Sequence, residues 1–261
     1  MFSEPPNNFL YSAYRINTGF ECHNGTTNRD GTGFLVENDE PKIPLIITNR
    51  HVVDLEFRTK SQKYLGYLLS SMSITGRRPD DSEYTFNLHF PADILFHSNP
   101  ENDVAIIIPR MWADDPKETM KGFHYHFGLN HLATGDVYKS IKPFDLICYT
   151  GFPDQHDKFG NRPILRSGRI ASDPVFDYSW DKKSHGSCVA YEGFSYGGSS
   201  GSPVFAPSRG MAEIPNSRHG YLIGVNAGHL SEYKSGGHSG ISYFYKSTVI
   251  LEILDENNYF R

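Results

Sequence analysis

Short apolar or alternating runs recur along the whole chain, at 33–37, 43–48, 64–69, 84–90, 104–108, 146–152, 164–170, 187–191, 204–205, 221–225 and 241–245. Clusters of Gly, Pro, Asn and Asp separate them. Many short strands joined by turns predict an all-β fold, either a sandwich or barrels. One segment follows a different period. After Ser247, a candidate N-cap, the apolar residues Val249, Ile250, Ile253 and Leu254 fall on one helical face, which predicts a helix near the end. The polar, poorly patterned stretch 111–142 predicts a connection between two β units. The expected organisation is a first unit over 1–115, a linker over 116–142 and a second unit over 143–261.

Composition narrows the picture. A chain of 261 residues is long enough for one large domain or two small ones, and buries enough surface to fold without disulfide staples. Its 25 Lys+Arg against 30 Asp+Glu give 25 − 30 = −5, and the basic pair Arg77-Arg78 is followed at once by Pro79-Asp80-Asp81. Neither nucleic acid nor an anionic membrane is an expected partner, since both call for clustered positive charge. The longest apolar run, Val104 to Ile108, is far shorter than the roughly 20 residues of a membrane helix. The N-terminus from Met1 to Asn8 lacks the basic and apolar regions of a secretory signal. Cys22, Cys148 and Cys188 are odd in number and show no CxxC spacing; Cys148 and Cys188 read as buried small hydrophobes. A reducing cytoplasm fits this usage, and the Asn24-Gly25-Thr26 sequon reads as a chance match.

Three segments carry candidate chemistry. In Gly197-Gly198-Ser199-Ser200-Gly201-Ser202-Pro203, glycines flank a serine, permit positive φ and let backbone N–H groups converge as an oxyanion site. In Gly31-Thr32-Gly33-Phe34 followed by Leu45 to Val53, His51 stands where the second of two strands ends. Asn102-Asp103 directly precede the run 104–108, and an aspartate entering a buried strand calls for a hydrogen-bond donor. Serine becomes a nucleophile when a base takes its proton and a third group orients that base. The chain order here is His51, Asp103, Ser200, unlike the Asp–His–Ser and Ser–Asp–His orders of other serine hydrolases.

On these residues the sequence resembles the trypsin/chymotrypsin superfamily, in particular the disulfide-free trypsin-like peptidases common in bacteria. Thr48-Asn49-Arg50-His51-Val52-Val53 looks like that branch's histidine motif, and Asn102-Asp103-Val104-Ala105-Ile106 like its aspartate motif. Ser199-Ser200-Gly201-Ser202-Pro203 is similar to its nucleophile loop, with the proline selecting Ser200. Gly151-Phe152-Pro153 and Arg166-Ser167-Gly168 look like second-barrel strands. The resemblance spans about residues 10–255. It implies two six-stranded antiparallel β-barrels with a C-terminal helix and the active site between them.

The activity it implies is that of a serine endopeptidase. His51, Asp103 and Ser200 would be catalytic, and the N–H groups of Gly198 and Ser200 would form the oxyanion hole. Phe194, Ser195 and Tyr196 would form the base and one wall of the specificity pocket. Ala227, Gly228 and His229 would be the edge that pairs with substrate, and Gly240 would lie in a third wall. No carboxylate falls at the pocket base, which disfavours Lys or Arg. No histidine stands at Asn226, which disfavours acidic residues, although His229 or His238 could reach the pocket; a small or apolar P1 residue is expected. Ser199 stands where secreted trypsins carry an aspartate, so activation by a zymogen salt bridge is not expected. His124-Tyr125-His126 shows no further ligand, and Asp154, Asp157 and Asn161 lack the glycine and terminal glutamate spacing of a calcium loop, so neither metal nor cofactor is expected. The expected partner is a peptide or protein substrate, with a regulatory protein as a further partner. The alternative is a catalytically idle peptide-binding module.

Overall fold

The structure, a computed structural model, describes residues 7–23, 25–37, 44–57, 62–88, 92–109, 125–210, 217–232 and 234–259. The sequon residue Asn24 and the whole stretch 110–124, His124 included, lie outside them.

Hydrophobic alternation builds a first sheet from β1 (Ala13–Cys22), β2 (Gly25–Glu37), β3 (Pro44–Thr48), β4 (Leu68–Arg77), β5 (Glu83–Leu88), β6 (Asp93–Phe96), β7 (Ala105–Ile108) and β8 (Phe127–Gly128). Its order is β5-β4-β1-β2-β3-β7-β6, with β8 added parallel to β2. The two end strands are consecutive in the chain, so the sheet curls and both line one core. Phe86 and Leu88 of β5 and Ile94 and Phe96 of β6 pack with Ile16, Leu35, Ile46, Ile74 and Ile107. Among the described residues no ladder joins β5 to β6, so this sheet is curled but not closed by hydrogen bonds.

The second unit does close. β9 (Leu146–Gly151), β10 (Ile164–Ile170), β11 (Cys188–Glu192), β12 (Pro203–Ala206), β13 (Tyr221–Ser231) and β14 (His238–Lys246) form a barrel in the order β10-β11-β14-β13-β12-β9. Both units together form the chymotrypsin-type fold. The first sheet has eight strands against the six expected; β1, β6 and β8 fall on none of the runs read in the sequence, β8 coming from the connecting segment. The run at 64–69 is only partly strand: a 3-10 turn, Gln62–Tyr64, precedes β4, and Leu65 and Leu68 are exposed.

Two segments cross between the units. The N-terminal 3-10 turn, Asn7–Ser12, sits on the second barrel, where Thr150 Oγ1 donates to Leu10 O (2.7 Å) and the Phe9 ring lies 5.2 Å from Phe205. The C-terminal helix, here α3 after α1 (Arg50–Val53) and α2 (Gly135–Tyr138), covers Thr248–Glu256 and returns to the first sheet, where His97 Nε2 meets Glu252 (2.9 Å) and the Ser98 hydroxyl donates to Glu256 (2.6 Å). Val249, Ile250, Ile253 and Leu254 are all buried, as their period predicts. Ser247 precedes α3 but does not cap it with its side chain; its hydroxyl donates to Ala133 O instead (2.7 Å). In the described part of the connection, Leu132, Ala133, Tyr138 and Ile141 are buried.

Cys148 and Cys188 are buried and no disulfide forms; burial pushes the Cys148 thiol up to about 12. Among the described residues no helix is long and apolar enough to cross a membrane, and no cluster of three or more His, Cys, Asp or Glu is arranged to hold a metal. His126 pairs with Glu37 (3.1 Å). Asp157 accepts from the N–H groups of Phe159 and Gly160 (both 3.1 Å) and pairs with Arg162, so its lone pairs serve a turn.

Candidate active site

β3 ends at Thr48, and Asn49 opens the single turn α1 that carries His51. Asn49 is fully buried, and its side-chain N–H₂ donates to Asp103 O at 2.7 Å. That bond pins the chain just before β7 beside α1. The Asp103 carboxylate then accepts twice from His51, through the backbone N–H (3.0 Å) and through Nδ1 (2.7 Å). Because a carboxylate only accepts, Nδ1 carries the proton and Nε2 is left as the basic nitrogen. The Asp103 side chain is 5% exposed and that of His51 27%. The carboxylate is therefore shielded while the ring reaches solvent. Neighbouring Asn102, also buried, accepts from Ser187 N–H at 2.8 Å and ties the second barrel to the same corner.

The serine segment of the second barrel lies against β2. Thr32 N–H donates to Ser200 O (2.8 Å), and Thr32 Oγ1 donates to Gly198 O (2.7 Å) while accepting from Phe152 N–H (3.0 Å). A Cβ at Gly31 would lie 3.5 Å from Ser200 O and 2.9 Å from a Val52 methyl, so the loop abuts the turn that carries His51. Gly198 and Gly201 have φ of +85° and +89°. A side chain at either would collide with backbone, with Phe152 O and Thr32 O respectively. Only glycine fits both demands.

Peptide geometry then sets where the loop's amides point. A trans peptide holds its N–H opposite its C=O. Gly197 O is held by Asp154 N–H (3.0 Å) and Ser199 O by the Asn226 side chain (3.0 Å). The N–H groups of Gly198 and Ser200 therefore point away from those partners. Among the described residues neither has a hydrogen-bond acceptor, whereas Ser199 N–H and Gly201 N–H are bound to Tyr196 O and Asn226 O. The Ser200 hydroxyl donates to Ala227 O at 3.2 Å, not to the His51 ring.

Of the pocket residues, Ser195 is buried while Phe194 and Tyr196 are 51% and 36% exposed. Their rings stack, and His238 lies 4.8 Å from Phe194 and 5.9 Å from Tyr196. His229 stacks on His238 at 4.3 Å. Gly240 N–H donates to His238 Nδ1 (2.9 Å), so the ring proton sits on Nε2, facing Ser242 Oγ (3.3 Å). Ser195 N–H goes to the nearer Ser242 Oγ (3.1 Å), which donates to Gly193 O (2.9 Å). Desolvation, then the His229 ring, lower the His238 pKa, so this imidazole is held neutral. Ala227, Gly228 and His229 lie on β13 where β12 has ended. Among the described residues they face only β14, which leaves an open edge.

Structure brings together what the motifs predicted, His51 with Asp103 and the Ser200 loop beside them. It places His238, a sequence candidate for reaching the pocket, beside Phe194 and Tyr196, and adds Thr32, Asn49, Asn226 and Ser242, whose importance the motifs did not convey. Thr32 and Asn49 stood inside quoted motifs; Asn226 drew notice only for not being histidine.

The trypsin-like peptidase domain family matches residues 31–211, well over half the chain. The chain belongs to that family. No curated protein sequence matches it. Similar solved structures include a thermostable serine protease from an extremophilic microorganism, at 10% identity over 97% of this chain and 99% of that one, with a TM-score of 0.59. The protease Anisep from Arthrobacter nicotinovorans gives 15% identity, 96% of each chain and a TM-score of 0.57. A variant of the HtrA-type protease AlgW, solved with a tripeptide, gives 16%, 95% of this chain, 60% of that one and 0.54. This chain thus spans three fifths of the AlgW length. At these identities the likeness is one of fold.

Proposed function

We propose that this trypsin-family chain is a serine endopeptidase acting through an acyl-enzyme, with His51, Asp103 and Ser200 as its triad. The observation that carries the reading is the doubly bonded His51–Asp103 pair, which leaves Nε2 basic, beside a loop with two amides free of acceptors. His51 Nε2 takes the proton of Ser200 Oγ as the oxygen attacks a peptide carbonyl, and Asp103 stabilises the resulting imidazolium. The Gly198 and Ser200 N–H groups receive the oxyanion, each such donor being worth about 3 kcal/mol. His51 then gives its proton to the leaving amine, and water hydrolyses the ester. To start, the Ser200 hydroxyl rotates about χ1 from Ala227 O to the imidazole.

Substrate backbone pairs with the open edge of β13 at Ala227–His229. The side chain before the scissile bond enters between the rings of Phe194, Tyr196 and His238 above Ser195. With no carboxylate there and His238 neutral, a small or apolar residue fits this site better than a charged one. The loop bonds from Thr32, Asp154 and Asn226 support an active site assembled without zymogen cleavage.

The second reading, an idle peptide-binding module, draws on the Ser200 hydroxyl being bonded to Ala227 O. A fluorophosphonate probe separates the two: the peptidase is expected to take one label on Ser200, abolished in Ser200→Ala. A folded, unlabelled wild-type chain would leave the binding module. Cleavage of a peptide library then reads the preferred residue.

A further inference from the structure

Asn226 is wholly buried, and every polar atom of it is engaged with the site. Its backbone O accepts from Gly201 N–H (2.8 Å) and its N–H donates to Ser202 O (2.9 Å). Its side-chain N–H₂ donates to Ser199 O (3.0 Å) and to Ser195 Oγ (2.9 Å), and its Oδ1 accepts from Tyr191 OH (2.7 Å). The amide cannot be turned over, because Ser199 O only accepts and would then face a second oxygen. Tyr191 OH locks the same orientation from the opposite side.

Resting on the peptidase reading above, we infer that Asn226 is a positioning residue: its one side-chain nitrogen aims the Ser200 N–H at the oxyanion and fixes Ser195 at the pocket base. The peptide between Ser199 and Ser200 is the element that must not flip. Its carbonyl is held by Asn226, so its N–H projects to the opposite side. The same nitrogen links this peptide to Ser195, so the pocket that reads the substrate and the amide that stabilises the transition state share one anchor. A residue acting this way affects kcat more than KM, since the oxyanion exists only after attack.

Asn226→Asp in the full chain tests this, because it keeps the shape and the acceptor for Tyr191 but replaces the donor with a carboxylate. At neutral pH, kcat is expected to fall about 100-fold with KM nearly unchanged, the size seen when one oxyanion donor is lost. As pH falls the buried carboxyl takes a proton and regains one donor, so the variant's rate relative to wild type is expected to recover. The titratable groups around the position are Tyr191 on β11, Tyr149 on β9 behind it, and His238 on β14 across Ser195. Burial raises both tyrosines, and the ratio to wild type cancels His238 and His51. A purely structural role predicts fewer folded molecules on ionisation, with the kcat of each active-site-titrated molecule unchanged at every pH.

A folded Asn226→Asp within about threefold of wild-type kcat, or a deficit that does not change with pH, overturns the inference. Should that variant not fold, Tyr191→Phe carries the test, since it removes the donor that holds Oδ1 and loosens the amide without adding charge. A several-fold lower kcat at constant KM supports the role, and an unchanged kcat overturns it. Fluorophosphonate labelling of wild type is run alongside. An unlabelled wild type defeats the peptidase reading itself, whereas equal labelling rates of wild type and variant defeat only the role of Asn226.

Discussion

The two halves of the site are held in different ways. His51 and Asp103 stand at the ends of neighbouring strands of one curled sheet, and the bonds described above that orient them, from His51 and Asn49 to Asp103, stay within that unit. The Ser200 loop belongs to the closed barrel but is gripped from both sides, by Asn226 of its own barrel and by Thr32 of the other. The proposed base is thus held locally, and the loop of the proposed nucleophile depends on how the units meet. Perturbing the contact between units should damage the serine side first and leave the His51–Asp103 pair intact.

The largest expected effect sharpens that contrast from the chemical side. Ser200→Ala removes the nucleophile while every backbone bond of the loop remains. Hydrolysis is expected to drop by at least about 10³-fold with the thermal midpoint unchanged; substantial residual turnover in active-site-titrated protein would falsify the triad. Next comes Gly201→Ala, which forces a side chain into Thr32 O at a φ of +89°. A loss of about 1–3 kcal/mol of stability is expected from the strained backbone alone, read by denaturant unfolding. A neutral result would mean that the loop is not pressed against the first sheet.

Thr32→Val keeps the shape but leaves Gly198 O and Phe152 N–H without their partner, at a cost of about 1–3 kcal/mol per buried group. Fluorophosphonate labelling should slow, while the NMR signal of the hydrogen-bonded His51 Nδ1 proton persists. If that signal disappears as well, the two halves are not separable. The smallest effect is a pH dependence. His238 has a lowered pKa in the folded protein, so between that value and its ordinary one the unfolded chain binds more protons. Its contribution is therefore present above about pH 6.5 and is lost as pH falls through the folded value. Thermal midpoints of wild type and His238→Gln should converge on acidification; parallel curves would remove His238 from the account.

Much of the fold was legible because burial follows local periodicity. The runs at 104–108 and 164–170 and the helix after Ser247 appear where their patterns place them. β1 escaped notice for a physical reason. Its buried Thr18 is polar, satisfied by donating to Val52 O (3.0 Å), and a glycine, Gly19, follows it opposite Ser71, so the segment reads as turn chemistry. Conversely, Leu65 and Leu68 read as strand interior and are 70% and 73% exposed.

The same division runs through the site. Sequence alone determined the candidate nucleophile, base and orienting carboxylate, because their types, chain order and flanking glycines are properties of short segments. It determined too that no carboxylate stands among Phe194, Ser195 and Tyr196, where the pocket is proposed. Only the tertiary structure decided which donor holds each carbonyl of the loop: Thr32 reaches Gly198 across 166 positions, and Asn226 reaches Ser199 across 27. A hydrogen bond is made by whichever donor the packing of distant strands brings within about 3 Å, and no local pattern records that approach.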